Sequence, residues 1–249
     1  MAEAYTNRGS AKSVLKDERG AIQDYTKAIE LDPNFAEAYY NRGISKNDLE
    51  DYIGGIQDFD KAIELKPNMA NAYAARGTAK GALDDYRGAM EDFTKAIALN
   101  PKLADAYTNR GIAKKNLEDH SGAIQDFNKA LELNPNFTIA YYKRGVEKGI
   151  LNDYRGAMED FTKAIALNPK LADAYTARGI GKYMLNDYKG AIQDYTIAIK
   201  LNPKDRMAYN KRGISKIRIG DKNGGCLDLS KAGELGDASA YDMIRKYCN

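Results

Sequence analysis

The 249-residue sequence predicts an all-α fold, a solenoid of antiparallel helix pairs, from two observations. Apolar residues recur at the spacing of one helix face, as at Ala21, Ile22, Tyr25, Ala28 and Ile29. All the prolines share one spacing, each lying 34 residues after the one before: Pro33, Pro67, Pro101, Pro135, Pro169 and Pro203. A fixed period with helical patterning indicates an array of repeated helical units.

Seven copies follow from this period, each ending two residues after the proline position, which Asp237 occupies in the last copy. The copies are residues 2–35, 36–69, 70–103, 104–137, 138–171, 172–205 and 206–239. We expect a single solenoid over residues 2–237. A capping helix is expected at residues 240–249, because the end of an array has to shield its last apolar face.

Each copy contains the signals of two helices. Asp17 and its equivalents are placed to cap the second helix, and the proline ends it. If the chain turns between antiparallel helices near Lys16, residues whose numbers sum to about 33 lie level with each other. Gly9 then faces Tyr25, a small residue against a large one. Such packing explains a glycine that costs about 1 kcal/mol of helix propensity.

The same register places an arginine of the first helix beside an aspartate of the second in every copy. We expect these residues to form half-buried structural ion pairs; a catalytic or anion-binding role for the arginines is the alternative. The pairs are Arg8–Asp24, Arg42–Asp58, Arg76–Asp92, Arg110–Asp126, Arg144–Asp160, Arg178–Asp194 and Arg212–Asp228.

Each copy reads A-Y-x-x-R-G, a short loop, and then D-Y-x-G-A-I-x-D-[YF]-x-K-A-I-x-L-N-P, with substitutions. This pattern resembles the tetratricopeptide repeat over essentially the whole chain, although the family usually has leucine at the position of Arg8. The resemblance implies a right-handed superhelix with a concave groove that binds extended peptides. It implies an interaction module without a catalytic site or a cofactor.

One face of the first helix varies from copy to copy, so packing does not dictate its residues. We call it the first-helix stripe; in the first copy it contains Glu3, Thr6, Asn7, Ser10, Ser13 and Val14. The resemblance places this stripe in the groove. The candidate partner-binding residues on it are Asn7, Tyr40, Asn41, Asn109, Tyr142, Lys143, Tyr183 and Lys211.

The chemistry of these side chains suits recognition of a polypeptide. An asparagine amide can donate to and accept from a peptide backbone at once, although solvated surface asparagines are an equal alternative. Tyrosines offer large contact area with little entropy to lose. Lys143 and Lys211 lead us to expect the acidic part of a ligand near the C-terminal copies.

Composition argues against several other classes of function. The net charge of +3 comes from charges that alternate along the chain, so we expect neither a nucleic-acid nor a membrane partner. With one histidine and two cysteines a metal site is not expected. Glycines spaced by the repeat form no phosphate loop, and no nucleophile has a plausible base, so we expect no enzyme and no cofactor.

The partner is expected to be a protein or peptide bound in the concave groove. The alternative is an assembly scaffold that associates, possibly with itself as a homo-oligomer, through an uncapped N-terminal edge or the convex face. Truncation upstream would also explain that edge. A cytoplasmic location is favoured, with an exported form that has lost its signal left open.

Cys226 and Cys248 lie in the terminal region. A disulfide between them would fasten the capping helix, but their separation cannot be judged from sequence. Buried free thiols are the favoured expectation.

Overall fold

The computed structural model describes residues 1–248 and contains fifteen α-helices and no β-strand in that range. Each copy contributes two helices, which confirms the predicted all-α repeat. The chain has two compact units, the first being Met1–Leu133 and the second beginning at Asn134.

The first unit contains α1 Ala2–Val14, α2 Glu18–Leu31, α3 Ala36–Asp48, α4 Tyr52–Leu65, α5 Ala70–Ala82, α6 Tyr86–Leu99, α7 Ala104–Asn116 and α8 His120–Leu133. The second contains α9 Thr138–Ile150, α10 Tyr154–Leu167, α11 Ala172–Met184, α12 Tyr188–Leu201, α13 Arg206–Arg218, α14 Lys222–Glu234 and α15 Ala238–Tyr247.

The turn inside each copy is built from the residues that the sequence indicated. In the first copy the chain reverses at Lys16, whose φ of 65° lies in the left-handed region. Asp17 follows and its Oδ1 accepts a hydrogen bond of 2.9 Å from the backbone nitrogen of Gly20, which caps α2. The same cap is made by Asp51, Asp85, Asp119, Asp153, Asp187 and Asp221.

Glycines in the first helices lie against buried rings of the second helices. Phe59 is fully buried, and a Cβ atom added at Gly43 would lie only 2.7 Å from its Cε1 atom. Gly9 is equally close to the ring of Tyr25. The predicted packing of small against large residues is therefore confirmed, and with it the antiparallel arrangement of the two helices.

All seven predicted Arg–Asp pairs are present, and each is bidentate. In the third copy Nε and Nη2 of Arg76 donate to the two carboxylate oxygens of Asp92 at 2.9 and 2.6 Å. The Asp92 side chain is only 5% exposed. Lys80, which the sequence analysis did not assign, makes a second ion pair with Asp92 at 2.8 Å.

Every copy has an equivalent lysine that pairs with the aspartate, so each buried carboxylate has two cationic partners. The seven lysines are Lys12, Lys46, Lys80, Lys114, Lys148, Lys182 and Lys216. Because the guanidinium forks are occupied by carboxylates, the arginines have a structural role in this arrangement.

The arginines also connect neighbouring copies within each unit. Nη1 of Arg42 donates to the hydroxyl of Thr26 in the preceding copy at 3.1 Å. In the second unit Arg178 reaches Thr162 in the same way, also at 3.1 Å. One side chain thus joins its own second helix to the second helix before it.

The last helix begins at Ala238, two residues earlier than the predicted start of the capping helix at residue 240. The reason is Asp237, whose Oδ1 accepts a hydrogen bond from the backbone nitrogen of Ser239 and caps α15. Ala240 is buried with Leu229 and Ala232 of α14. Asn249, the predicted end of this helix, lies outside the described residues.

The expectation that Cys226 and Cys248 are free thiols is wrong. They form a disulfide that links α14 to the end of α15, with their Cα atoms 5.9 Å apart. Sequence could not show this, because the distance depends on how α15 folds back onto α14.

We predict opposite effects for two glycine-to-alanine changes in the first unit. Gly43→Ala should lower the free energy of unfolding by about 1–3 kcal/mol, because the new methyl group overlaps the buried ring of Phe59. Gly81→Ala should raise it by about 0.5–1 kcal/mol, since the nearest atom to the new Cβ, that of Ala89, is 3.8 Å away. Urea unfolding of both variants tests this; equal effects would contradict the packing described.

We also predict an acid-sensitive contribution from Asp24. Hydrogen bonds from Arg8, aided by Lys12 and opposed by burial, lower the pKa of Asp24 from 3.8 to about 2. Its contribution to stability is therefore present above pH 3.8 and is lost as the pH falls toward 2. An NMR titration of the Asp24 carboxyl group should show this midpoint, and Arg8→Gln should raise it; a midpoint near 3.8 in the unchanged protein would contradict the prediction.

Reduction of the disulfide should loosen α15 selectively. Ala240 is the buried residue of this helix, so packing alone holds it weakly. Closing a loop of this length is worth about 3 kcal/mol in the chain-entropy description, so amide exchange in α15 should accelerate about a hundredfold on reduction. Exchange in α9 and α10 is the internal control, and unchanged exchange in α15 would show that packing suffices.

Candidate functional site

The first-helix stripe changes character in the second unit. In α9 the stripe contains Ile139, Tyr142, Lys143, Val146, Gly149 and Ile150, where α1 has mostly polar residues. Ile139 is 40% exposed and Ile150 is 49% exposed. The repeat does not require an apolar residue at the position of Ile139, because five other copies are polar there: Glu3, Glu37, Asn71, Asp105 and Asp173.

A cavity of about 460 Å³ opens beside this stripe, between α9, α10 and α11. We call it the α9–α11 pocket. Its lining is Tyr142, Gly145, Val146, Gly149, Ile150, Tyr154, Ala157, Phe161, Asp173, Thr176, Ala177, Ile180, Gly181, Asp205 and Met207. Most of this lining is apolar, and Met207 is half exposed at its edge.

Two departures from the repeat leave the pocket open. At the position of Gly149 five of the seven copies carry larger residues, among them Tyr183 and Lys115, and the third copy also has a glycine, Gly81. A Cβ atom added at Gly149 would have only the Cβ of Ala157 within 4.0 Å, so a side chain there would enter open space. At the position of Asp205 the first five copies end on an apolar residue, namely Phe35, Met69, Leu103, Phe137 and Leu171.

Tyr142 forms a wall of the pocket and is held in place by its neighbours. Its ring packs on Phe161 with centroids 5.9 Å apart and planes tilted by 49°. The Nζ atom of Lys143 lies over the same ring, 5.8 Å from the centroid. Burial raises the pKa of Tyr142, and the negative charge of Asp173 raises it further.

The second carboxylate of the pocket is also fixed. The hydroxyl of Thr176 donates to Oδ2 of Asp205 at 2.8 Å. The backbone nitrogen of Ala208 donates to Oδ1 at 3.0 Å, so that Asp205 caps α13. Asp173 lies one turn before Thr176 on α11, so both carboxylates are associated with the start of that helix.

The equivalent surface of the first unit is smaller and more polar. A cavity of about 230 Å³ is lined by Tyr40, Asn71, Asp105, Asn109 and their neighbours. Another of about 180 Å³ has Thr78 and Asn109 where the α9–α11 pocket has Val146 and Ala177. Tyr40 packs on Phe59 at 6.0 Å as Tyr142 does on Phe161.

The structure brings some of the predicted partner-binding residues to cavities. Tyr142 lines the α9–α11 pocket, Tyr40 and Asn109 line the cavity of the first unit, and Lys211 lines a cavity of about 430 Å³ beside Arg206 and Asp237. The other predicted residues lie on the first-helix stripe outside these cavities; they are Asn7, Asn41, Lys143 and Tyr183.

Gly149, Ile150, Asp205 and Met207 were missed by sequence reasoning. A signal exists for Asp205, which breaks the run of apolar residues at its position in the first five copies. Glycine and aspartate are common at helix ends, where they form turns and caps. A glycine or an aspartate there does not by itself indicate a pocket.

Neither a group of metal-ligating residues nor a helix suited to span a membrane is found in the part of the chain that the structure describes. Among residues 1–248 no three histidine, cysteine, aspartate or glutamate side chains are grouped so as to hold a metal ion. Nor does any described helix have the length and apolar character needed to cross a bilayer.

Family models match several parts of the chain. Tetratricopeptide repeat models match residues 36–69, 70–103, 104–137 and 139–171, and a TPR repeat model matches residues 19–49. No curated protein matches the chain in a sequence search.

Solved structures provide similar chains. MamA is 30% identical with a TM-score of 0.61, and the match covers 66% of this chain and 96% of MamA. YrrB, described as a TPR protein with an unusual peptide-binding site, is 26% identical with a TM-score of 0.64, over 74% of this chain and 95% of YrrB. A tetratricopeptide repeat protein from Parabacteroides merdae ATCC 43184 shares the fold at 18% identity with a TM-score of 0.69, over 100% and 99% of the two chains.

Proposed function

The chain belongs to the tetratricopeptide repeat family, whose members are generally interaction modules, and we propose that it binds a polypeptide segment on the first-helix stripe of the second unit. In this proposal an apolar side chain of the segment enters the α9–α11 pocket.

The observation that carries the proposal is the pocket itself. Its volume of about 460 Å³ is within the usual range of ligand sites, and it has an apolar lining with a few polar groups at one end. Around it Ile139, Ile150 and Met207 leave apolar surface in water. Exposed apolar surface next to a concave site is typical of a binding surface.

A polypeptide fits this surface better than a compact small molecule. The apolar residues follow the stripe of α9 from Ile139 to Ile150, which suits an elongated ligand with one anchoring side chain. Tyr142 is already packed against Phe161, so it loses little conformational entropy when a ligand covers it. The peptide-binding site named for YrrB, which has the same kind of fold, supports a peptide as the ligand class.

The polar stripe of the first unit is proposed to form hydrogen bonds with the backbone of the bound peptide rather than contacts with its side chains. Asn7, Asn41 and Asn109 occupy one stripe position in three copies, where their amides can pair with a peptide backbone. Tyr40 lines the same cavity as Asn109. In the second unit Lys143, Tyr183 and Lys211 are proposed to contact parts of the segment farther along the chain from the anchoring side chain.

Filling the pocket with a side chain provides the test. Peptides enriched from a random display library on the full chain would be synthesised and their dissociation constants measured for the Gly149→Leu variant. We expect binding to weaken about tenfold to a hundredfold, because the leucine occupies the space of the anchoring side chain. Folding should be retained, since leucine favours a helix over glycine and meets open space.

Gly81→Leu is the matched control, because Gly81 occupies the same position of a copy in the first unit and has similar room. It should weaken binding much less than Gly149→Leu does, because the anchoring side chain is proposed to enter the pocket of the second unit. Enriched peptides that bind the Gly149→Leu variant as tightly as the unchanged chain would refute the pocket as the site. A variant with Asn7, Asn41 and Asn109 changed to alanine separately tests the proposed hydrogen bonds to the peptide backbone.

A self-associating scaffold is the competing outcome. In that case the library would give no enriched peptide, and light scattering would show a mass that rises with protein concentration. This pair of results would replace the peptide-binding proposal.

A further inference from the structure

We infer that the α9–α11 pocket selects a segment in which a bulky apolar residue is followed or preceded by lysine or arginine. The apolar residue fills the pocket, and the cation reaches the carboxylates of Asp173 and Asp205. This inference rests on the proposed function and adds the chemistry of the ligand.

The charged residues that line the pocket are all acidic. Of the fifteen residues that line it, the two charged ones are Asp173 and Asp205. The rest of the lining is apolar or uncharged; Asp173 is exposed to water and Asp205 is half-buried. A cationic group beside the apolar lining is the complementary ligand.

Neither carboxylate is neutralised by the protein. Within residues 1–248, no lysine, arginine or histidine forms an ion pair with Asp173 or Asp205. The aspartates of the repeat framework behave differently, since Asp194, for example, is paired with both Arg178 and Lys182. Two unpaired carboxylates at one apolar pocket are therefore not a consequence of the repeat.

The nearby cations are directed elsewhere. Lys143 lies over the ring of Tyr142 and does not line the pocket. Arg206 and Lys211 line the neighbouring cavity with Asp237, and Nη1 of Arg206 contacts the carbonyl oxygen of Gly236 at 3.5 Å. The sequence-based expectation of an acidic ligand segment rested on Lys143 and Lys211, whereas the pocket itself presents aspartates.

Asp205 is held ready to receive a cation. Thr176 and the backbone nitrogen of Ala208 each use one of its oxygens, which fixes the carboxylate before any ligand arrives. A carboxylate has about four acceptor positions, so capacity remains for a lysine or an arginine. A group that is already oriented binds without a further entropic cost.

The first unit provides an internal comparison. Residues 85–108 and 153–176 are identical in sequence, so Asp105 is the exact counterpart of Asp173. At the counterpart of Asp205, however, the same offset along the sequence gives Phe137. Only the second unit has both carboxylates, which makes Asp105 the natural site for a control substitution.

The test uses the full chain and an array of 12-residue peptides. Each peptide contains one phenylalanine or leucine flanked by lysine or arginine, by serine, or by glutamate. We expect the basic-flanked peptides to bind about tenfold more tightly than the serine-flanked ones, as charge-assisted hydrogen bonds predict, with the advantage shrinking as salt rises.

The variant that carries Asp173→Asn and Asp205→Asn should lose this preference and bind all three sets alike. Asparagine still caps a helix well, so the start of α13 is preserved, and thermal unfolding checks the fold. Asp105→Asn should keep the full preference.

The remaining outcomes separate this inference from the proposed function. Equal affinity for all three peptide sets in the unchanged chain, or tighter binding of the glutamate-flanked set, overturns the basic-residue inference. If such binding is still lost in Gly149→Leu, the pocket remains the site. If no peptide of any set binds, both the inference and the proposed function are wrong.

Discussion

The fold depends on one carboxylate in each copy that is buried between two cations. The aspartate of the second helix is 3–8% exposed, accepts hydrogen bonds from an arginine of the first helix and forms an ion pair with a lysine of that helix. An unpaired carboxylate at such a site would cost several kcal/mol, whereas one in this network is satisfied. This network therefore fixes the register of the two helices in a copy. In that register Gly9, or its equivalent, packs against the large side chain of the second helix that lies opposite it.

The same arginine extends the constraint to the next copy. Its planar group stacks over a tyrosine one turn earlier, as in Arg76 over Tyr73 at 5.4 Å. Its remaining nitrogen reaches the preceding second helix, as in Arg42 to Thr26. A leucine at this position would pack but could not direct three contacts at once. This explains how the array departs from the usual residue of its family without losing regularity.

Because buried positions carry the fold, the exposed stripe is free to differ between copies. The second unit uses this freedom at three places: a glycine that leaves space, an aspartate in place of an apolar residue, and a tyrosine that forms a wall. None of these residues takes part in the ion-pair network. Recognition can therefore change through Gly149, Asp205 and Tyr142 at little cost in stability, which is how repeat arrays combine a uniform framework with a specific surface.

The repeat period, the helix pairs, the caps at Asp17 and its equivalents, and the seven Arg–Asp pairs were all predictable from sequence. They depend on contacts between residues of one copy at a fixed offset, and seven copies repeat that offset. Tyr142 was predictable as a surface residue that packing does not require. The pocket was not, because an empty volume depends on what several helices fail to fill.

By itself, the sequence determined the periodic framework, since local patterning and a repeated register leave one way to bury the apolar faces. Only the tertiary structure decided three other matters. The lysines join the buried aspartates, Cys226 reaches Cys248 because α15 folds back onto α14, and Asp173 and Asp205 meet at one pocket. Each of these depends on distances between elements, which a one-dimensional pattern does not contain.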